Sequence, residues 1–298
     1  MGKGGRVGWG ILGAAHIARK AVLPAIAASS NGRVVAVASR STERAREVLA
    51  PYPGARVVDS YEELVADPEV DAVYNPLPNS LHREWSILAL NAGKHVLCEK
   101  PIALNATEAE DMAAAANAAG CHLMEAFMYR FHPAMLELVE RARNAIHVAA
   151  EFGFQVRSRD DIRLRADTGG GALLDVGCYT VSVARWILGE PEHISAQAKF
   201  RDGVDLATSA LLTFPGGATA SAWSSLESAE VQDLTVITHN AVFRRSQAFN
   251  ARDDHDPYRL MIESFGDSVI HDRPVAIPMS ESIINMRVLD AIRDASTS

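Results

Sequence analysis

Lysine, cysteine and long apolar runs are all scarce in this chain of 298 residues. No apolar run approaches the length needed to span a bilayer. The lead Met1-Gly-Lys-Gly-Gly-Arg lacks the apolar stretch and cleavage site of a signal peptide. A cytoplasmic soluble protein without a membrane partner is therefore expected. The three cysteines, Cys98, Cys121 and Cys178, are odd in number and have no metal-type spacing. Each sits among apolar residues and reads as a small buried hydrophobe in a reducing compartment, so no metal site is expected. Positive charge is also short. The net charge of -8 argues against nucleic acid as a main partner, since phosphate contacts along a strand need a basic face. A single small phosphate needs only a local site. Most basic residues are arginine; the lysines are Lys3, Lys20, Lys94, Lys100 and Lys199.

What is present is apolar material, 48% of the chain, arranged in two patterns. The first part alternates strand and helix. "RVGWGIL", "RVVAVAS", "ARVVD", "VDAVYNP", "KHVLCEK" and "CHLME" read as strands, with helical segments between them. Such alternation means a parallel sheet wound on both faces. The pattern changes near Glu125. One more helix, "HPAMLELVERARN", precedes a long strand, "AIHVAAEFGFQVRS". A glycine run then leads into the helix "ALLDVGCYTVSVARWILG". After it the periodicity is near two, in "HISAQAKF", "DLATSALLTF", "GATASAWSSL" and "VQDLTVIT". Two helices end the chain. The predicted fold is α/β. A doubly wound Rossmann domain spans 1–124, and an α+β domain with an open, mainly antiparallel sheet spans 125–298.

The first strand carries two overlapping glycine motifs. Gly8-x-Gly10-x-x-Gly13 matches the dinucleotide fingerprint literally; Gly13-x-Ala15-x-x-Ala18 matches it weakly. The fingerprint works only where a strand ends and a helix begins, because the helix N-terminus must face the phosphates. Gly8 and Gly10 are interleaved with Val7, Trp9, Ile11 and Leu12, so they lie inside the strand. The turn is therefore assigned to Gly13, Ala14, Ala15, His16 and Ile17, and Gly8 and Gly10 to close packing. An ordinary strand-helix turn would also satisfy this loop alone.

The end of the second strand approaches the adenosine ribose in such a fold. An acid there suits NAD and a basic residue suits NADP. Here the strand ends Ser39-Arg40-Ser41, with the first acid at Glu43. An arginine fork and two hydroxyls can hold a 2′-phosphate. NADP(H) is the expected cofactor, with NAD(H) possible; Arg40 can equally be a surface arginine.

Five stretches, "WGILGAAHIA", "YNPLPNSLH", "CEKPIAL", "MEAFMYRFHP" and "GGGALLDVGCY", occur in order along the chain. This set resembles the Gfo/Idh/MocA family of NAD(P)-dependent oxidoreductases over nearly the whole length. Asp175-x-x-x-Tyr179, where many members have histidine, is similar to one branch. That branch holds glucose-fructose oxidoreductase, NADP-dependent xylose dehydrogenase and dimeric dihydrodiol dehydrogenase.

The resemblance implies hydride exchange between nicotinamide and a sugar, polyol or dihydrodiol. It makes Tyr179 the general acid/base, with Lys100 assisting. Tyrosine is a poor base at its reference pKa of about 10, and a nearby ammonium lowers that value. Asp175 could orient a substrate hydroxyl or hold Lys100. Tyr74, Asn75, Pro76, Leu77, Asn79, His82 and Glu99 line up with the family's loops beside the nicotinamide ribose, although His82 could equally be a helix N-terminal residue bonded to backbone. Trp85, Tyr129, Arg130, Phe131, His132, Arg157 and above all Arg163 are candidates for the substrate cleft. Dimers are common in the family, so a homodimer or higher homo-oligomer is implied.

Two places depart from the family pattern by being short: "ERARNAIHV" and "VITHNAVFRRSQAFNARDDHDPY". Two other readings stay open at this stage. One is a non-catalytic dinucleotide-binding regulator. The other is a glycoside hydrolase that uses its cofactor only transiently.

Overall fold

The structure, a computed structural model, describes residues 5–297. The first residues of the basic lead fall outside that range. The described chain forms two units.

The first unit comprises the chain to Ala103, Thr107–Met128 and Asp256–Ser282. Its sheet has six parallel strands: β1 (Val7–Leu12), β2 (Gly32–Ala38), β3 (Arg56–Val58), β4 (Ala72–Asn75), β5 (His95–Cys98) and β6 (Leu123–Glu125). They lie in the order β3-β2-β1-β4-β5-β6. This order reverses between β1 and β4, the switch point outside whose carboxyl ends such sheets bind their ligands. Every residue of β1 is buried, as a central strand covered on both faces requires. Helices follow the strands. Ser41 and Ser60 start two of them by accepting the backbone N–H of Arg44 and Glu63 at 3.3 and 3.0 Å. The helix Pro257–His271 also belongs to this unit, with Phe265 packed 5.6 Å from Trp9 between ring centroids. Sequence spacing had grouped that helix with the later part of the chain.

The second unit comprises Leu104–Ala106, Tyr129–His255 and the chain from Ile283 onward. Its sheet has β7 (Ala145–Gln155), β8 (His193–Arg201), β9 (Val204–Thr213), β10 (Thr219–Ser225), β11 (Glu227–Thr238) and β12 (Val242–Arg245). The order is β12-β11-β7-β10-β9-β8, and only the β7–β10 pair is parallel. The connection before β7 is a tight turn over 142–144, closed by Ala145 N–H to Ala142 C=O at 2.9 Å. The short strand β12 was not foreseen.

The helix Cys178–Leu188 packs on β7 and β10. It continues from a wider π turn, Leu173–Gly177. The stretch Ala166–Leu188 is apolar and long enough to cross a membrane by composition, yet most of it is buried in this unit. It reads as a core helix. The opposite face of the sheet carries Ser209, Leu211, Ser221 and Trp223, and Leu211 is 50% exposed.

Candidate active site

The carboxyl ends of β1 and β2 build the first part of the site. Gly13 has φ +84°, a left-handed value that favours glycine, and its N–H donates to Ala38 C=O at 2.6 Å. Helical structure begins at His16. The turn therefore ends β1, turns at Gly13 and presents a helix N-terminus. Gly10 serves another purpose: a Cβ there would lie 2.7 Å from Leu64 Cδ2. At the end of β2, the Ser39 hydroxyl accepts Ser41 N–H at 3.2 Å, which shapes the loop. Arg40 is exposed, with no ion-pair or hydrogen-bond partner among the described residues.

The ends of β4 and β5 form the second part. Tyr74 is fully buried and donates its hydroxyl to Glu99 Oε1. Asn75, also fully buried, donates to Ser86 Oγ at 3.0 Å and accepts from Leu77 N–H at 3.3 Å. It folds the Pro76–Asn79 loop back on itself. His82 is fully buried too. Its Nδ1 lies 2.9 Å from Pro101 C=O and its Nε2 2.8 Å from Leu77 C=O. Burial holds its pKa down, to about 4; the two carbonyls oppose the shift and the Lys100 ammonium adds to it. His82 thus ties the loop after β4 to the loop after β5, with no ring nitrogen left to reach a ligand. Tyr74, Asn75 and His82 shape these loops from behind.

Glu99 Oε2 accepts Lys100 N–H at 3.3 Å, and the Lys100 side chain is half-buried. One supporting residue escaped sequence reasoning. Glu125, at the end of β6, is buried and accepts Ile102 N–H at 2.9 Å. It fixes the backbone just past Lys100. A carboxylate ending the apolar strand "CHLME" was the only signal.

The second unit carries the remaining candidates. Asp175 lies in the π turn, an element often found at functional sites, and Tyr179 follows in the first turn of the α-helix. Tyr179 is 7% exposed. Its ring is held by Tyr129, Phe152 and Phe249, at centroid distances of 5.7, 5.4 and 5.6 Å. Tyr129 and Ser182 share a hydrogen bond of 2.8 Å between hydroxyls. Arg163 binds Asp161 through two parallel bonds, of 2.9 and 2.7 Å, and lies over Phe154. This pairing raises the Arg163 pKa, and the Asp175 charge adds to it. Arg157 is exposed, and Arg130 stacks on Trp186 at 4.6 Å.

A further residue missed at the sequence level is Asp205, on β9. Its Oδ2 accepts Leu173 N–H and the Thr208 hydroxyl, both at 2.7 Å. It satisfies the opening turn of the helix that carries Asp175 and Tyr179. Burial raises its pKa, opposed by those hydrogen bonds. Among the described residues no group of three histidine, cysteine or carboxylate side chains could hold a metal.

A parallel sheet in this strand order, with a glycine turn at its switch point, is the architecture of a dinucleotide-binding domain. The comparisons agree. Residues 7–127 match the model of the oxidoreductase family with NAD-binding Rossmann fold, GFO/IDH/MocA, and residues 144–244 match the GFO/IDH/MocA C-terminal domain. The chain is 38% identical to D-xylose 1-dehydrogenase (NADP(+)) 2 of Haloferax volcanii, with 97% of each chain covered. It is 40% identical to trans-1,2-dihydrobenzene-1,2-diol dehydrogenase of Mus musculus, over 74% of this chain and 68% of that one. Among solved structures it resembles a tyrosine-to-phenylalanine variant of the 3-ketoreductase KijD10 from Actinomadura kijaniata, in complex with TDP-benzene and NADP. The TM-score is 0.91 at 31% identity, over 97% of this chain and 98% of that one. The chain belongs to the GFO/IDH/MocA family and is an NAD(P)-dependent oxidoreductase.

Proposed function

We propose that the protein is an NADP-dependent dehydrogenase or reductase acting on the CH–OH group, or matching carbonyl, of a sugar, polyol or dihydrodiol. The observation that carries this reading is the full-length similarity to an NADP-dependent xylose dehydrogenase. The residues present fit such a cofactor. The turn begins at Gly13, whose N–H is held by Ala38, and offers the backbone N–H groups of Ala14, Ala15, His16 and Ile17 to a pyrophosphate. Arg40, flanked by Ser39 and Ser41, offers charge and hydroxyls to a 2′-phosphate. Pro76, Leu77, Asn79 and Glu99 line the nicotinamide ribose side. Tyr74, Asn75 and His82 hold that loop in place from within the core.

The cofactor, when bound, supplies the hydride acceptor or donor. The chain supplies the proton transfer. Tyr179 takes the proton of the substrate hydroxyl in oxidation and returns it in reduction. The Lys100 ammonium stabilises the phenolate and binds substrate. Asp175 orients a substrate hydroxyl. Arg163, held in one orientation by Asp161, borders the substrate. The open sheet face around Leu211 and Trp223 suits a homodimer, and the cytoplasm suits three unbridged thiols.

The test is a panel of pentoses, hexoses, polyols and trans-dihydrodiols, each with NADP and with NAD, read at the nicotinamide absorbance. NADP-dependent turnover of one class supports the reading. NADPH binding without turnover of any class contradicts it.

A further inference from the structure

Tyr61 opens the helix Tyr61–Ala66, directly after the capping residue Ser60. The cap fixes where the helix starts and so where the Tyr61 ring points. The ring meets Trp85 edge-on, with centroids 4.8 Å apart at 81°. The hydroxyl reaches the glycine turn. A side chain on Gly13 would have its Cβ 3.1 Å from Leu77 Cδ2 and 3.7 Å from Tyr61 Oη. The positive charge of Arg40 also reaches this phenol, partly offsetting the rise that burial imposes on its pKa.

Gly13 and the Tyr61 hydroxyl are therefore neighbours, the Gly13 N–H bonds the end of β2 at Ala38, and Arg40, two residues past Ala38, brings its charge to the phenol. Two of them carry unused hydrogen-bonding capacity. Neither the Arg40 guanidinium nor the Tyr61 hydroxyl has a hydrogen-bond or ion-pair partner among the described residues. An arginine fork beside a phenol O–H is a set of donors without an acceptor. The ligand that satisfies both is a small anion with several oxygens. The Trp85 ring, packed against Tyr61 and only partly buried, adds apolar material beside it.

We propose that the Tyr61 hydroxyl donates a hydrogen bond to the 2′-phosphate of NADP alongside Arg40, and is a second determinant of cofactor choice. The proposal rests on the reading that Arg40 takes that phosphate. Nothing in the local sequence suggested Tyr61, because it follows the third strand while the cofactor signal follows the second.

The test measures binding of NADPH, NADH and 2′,5′-ADP by calorimetry, without any substrate. Tyr61→Phe keeps the ring against Trp85 and removes only the hydroxyl. It should weaken NADPH and 2′,5′-ADP about tenfold, the effect of one hydrogen bond to a charged group, and change NADH by less than about twofold. Unchanged NADPH affinity, or equal weakening of NADPH and NADH, overturns the proposal. Arg40→Ala separates the two layers. If it weakens NADPH but not NADH while Tyr61→Phe is silent, the Tyr61 assignment alone fails. If Arg40→Ala leaves the preference intact, the underlying phosphate site fails.

Discussion

Gly10 and Leu64 are packed so closely that a Cβ on the glycine would lie 2.7 Å from the leucine Cδ2. The contact explains why the literal fingerprint in β1 is not the phosphate turn. Gly10 lets the helix Tyr61–Ala66 lie against the sheet, while Gly13 makes the turn. The two glycines should separate cleanly in experiment. Gly10→Ala is expected to lower stability by about 1–3 kcal/mol through overpacking and leave NADPH affinity unchanged. Gly13→Ala should weaken NADPH, because alanine at φ +84° is strained and its methyl group faces Leu77 and Tyr61. Urea unfolding and NADPH titration of both variants check this; NADPH loss in Gly10→Ala would reverse the assignment.

His82 predicts a dependence of stability on pH. An unfolded histidine titrates near about 6.5. Folded His82 is held down to about 4 by burial. Between those values the unfolded chain binds a proton that the folded one does not, so stability falls as pH drops. The contribution is fully present above about pH 6.5, and its full loss by pH 4 is on the order of 3 kcal/mol. His82→Gln should flatten the pH slope of the urea midpoint between pH 7 and about 4.5. An unchanged slope would show that other groups carry it.

Asp205 predicts a local effect. Asp205→Ala leaves Leu173 N–H and Thr208 without their acceptor and should cost about 1–3 kcal/mol. Amide exchange over residues 172–176 should accelerate relative to the rest of the second unit. Equal protection in variant and parent would mean that water replaces the carboxylate without loss.

Much of this was legible in the chain. The strand-helix alternation defined the parallel sheet, and the interleaving of Gly8 and Gly10 with apolar residues placed them inside β1. What was hidden depends on contacts between distant segments. The walls around Tyr179 come from Tyr129, Phe152 and Phe249, which no local period connects. His82 was open to two readings, a place beside the nicotinamide ribose or a helix N-terminal residue bonded to backbone, and two backbone carbonyls claim its ring. The helix Pro257–His271 has an apolar face, but a face does not say which sheet it covers; Trp9 and Phe265 decide that. Asp205 sits in an alternating strand, where a single polar residue gives no hint of the helix it caps.

Lys100 can be tested apart from cofactor choice. If the proposed role of Lys100 holds, Lys100→Met should lower kcat by about 100-fold or more and move the pH profile of the oxidation upward, because an ammonium that assists a phenol favours its ionised form. Initial rates across pH with saturating NADP check this. A pH profile that matches the parent would remove Lys100 from the proton transfer.

The central claim is that Tyr179 moves the proton in an NADP-dependent alcohol oxidation. Its most direct test compares the parent and Tyr179→Phe in paired measurements of NADPH affinity and turnover of the best substrate in the panel. The account predicts unchanged NADPH affinity and a kcat lower by about 100-fold to 10,000-fold. A Tyr179→Phe enzyme that binds NADPH and retains full turnover would contradict it.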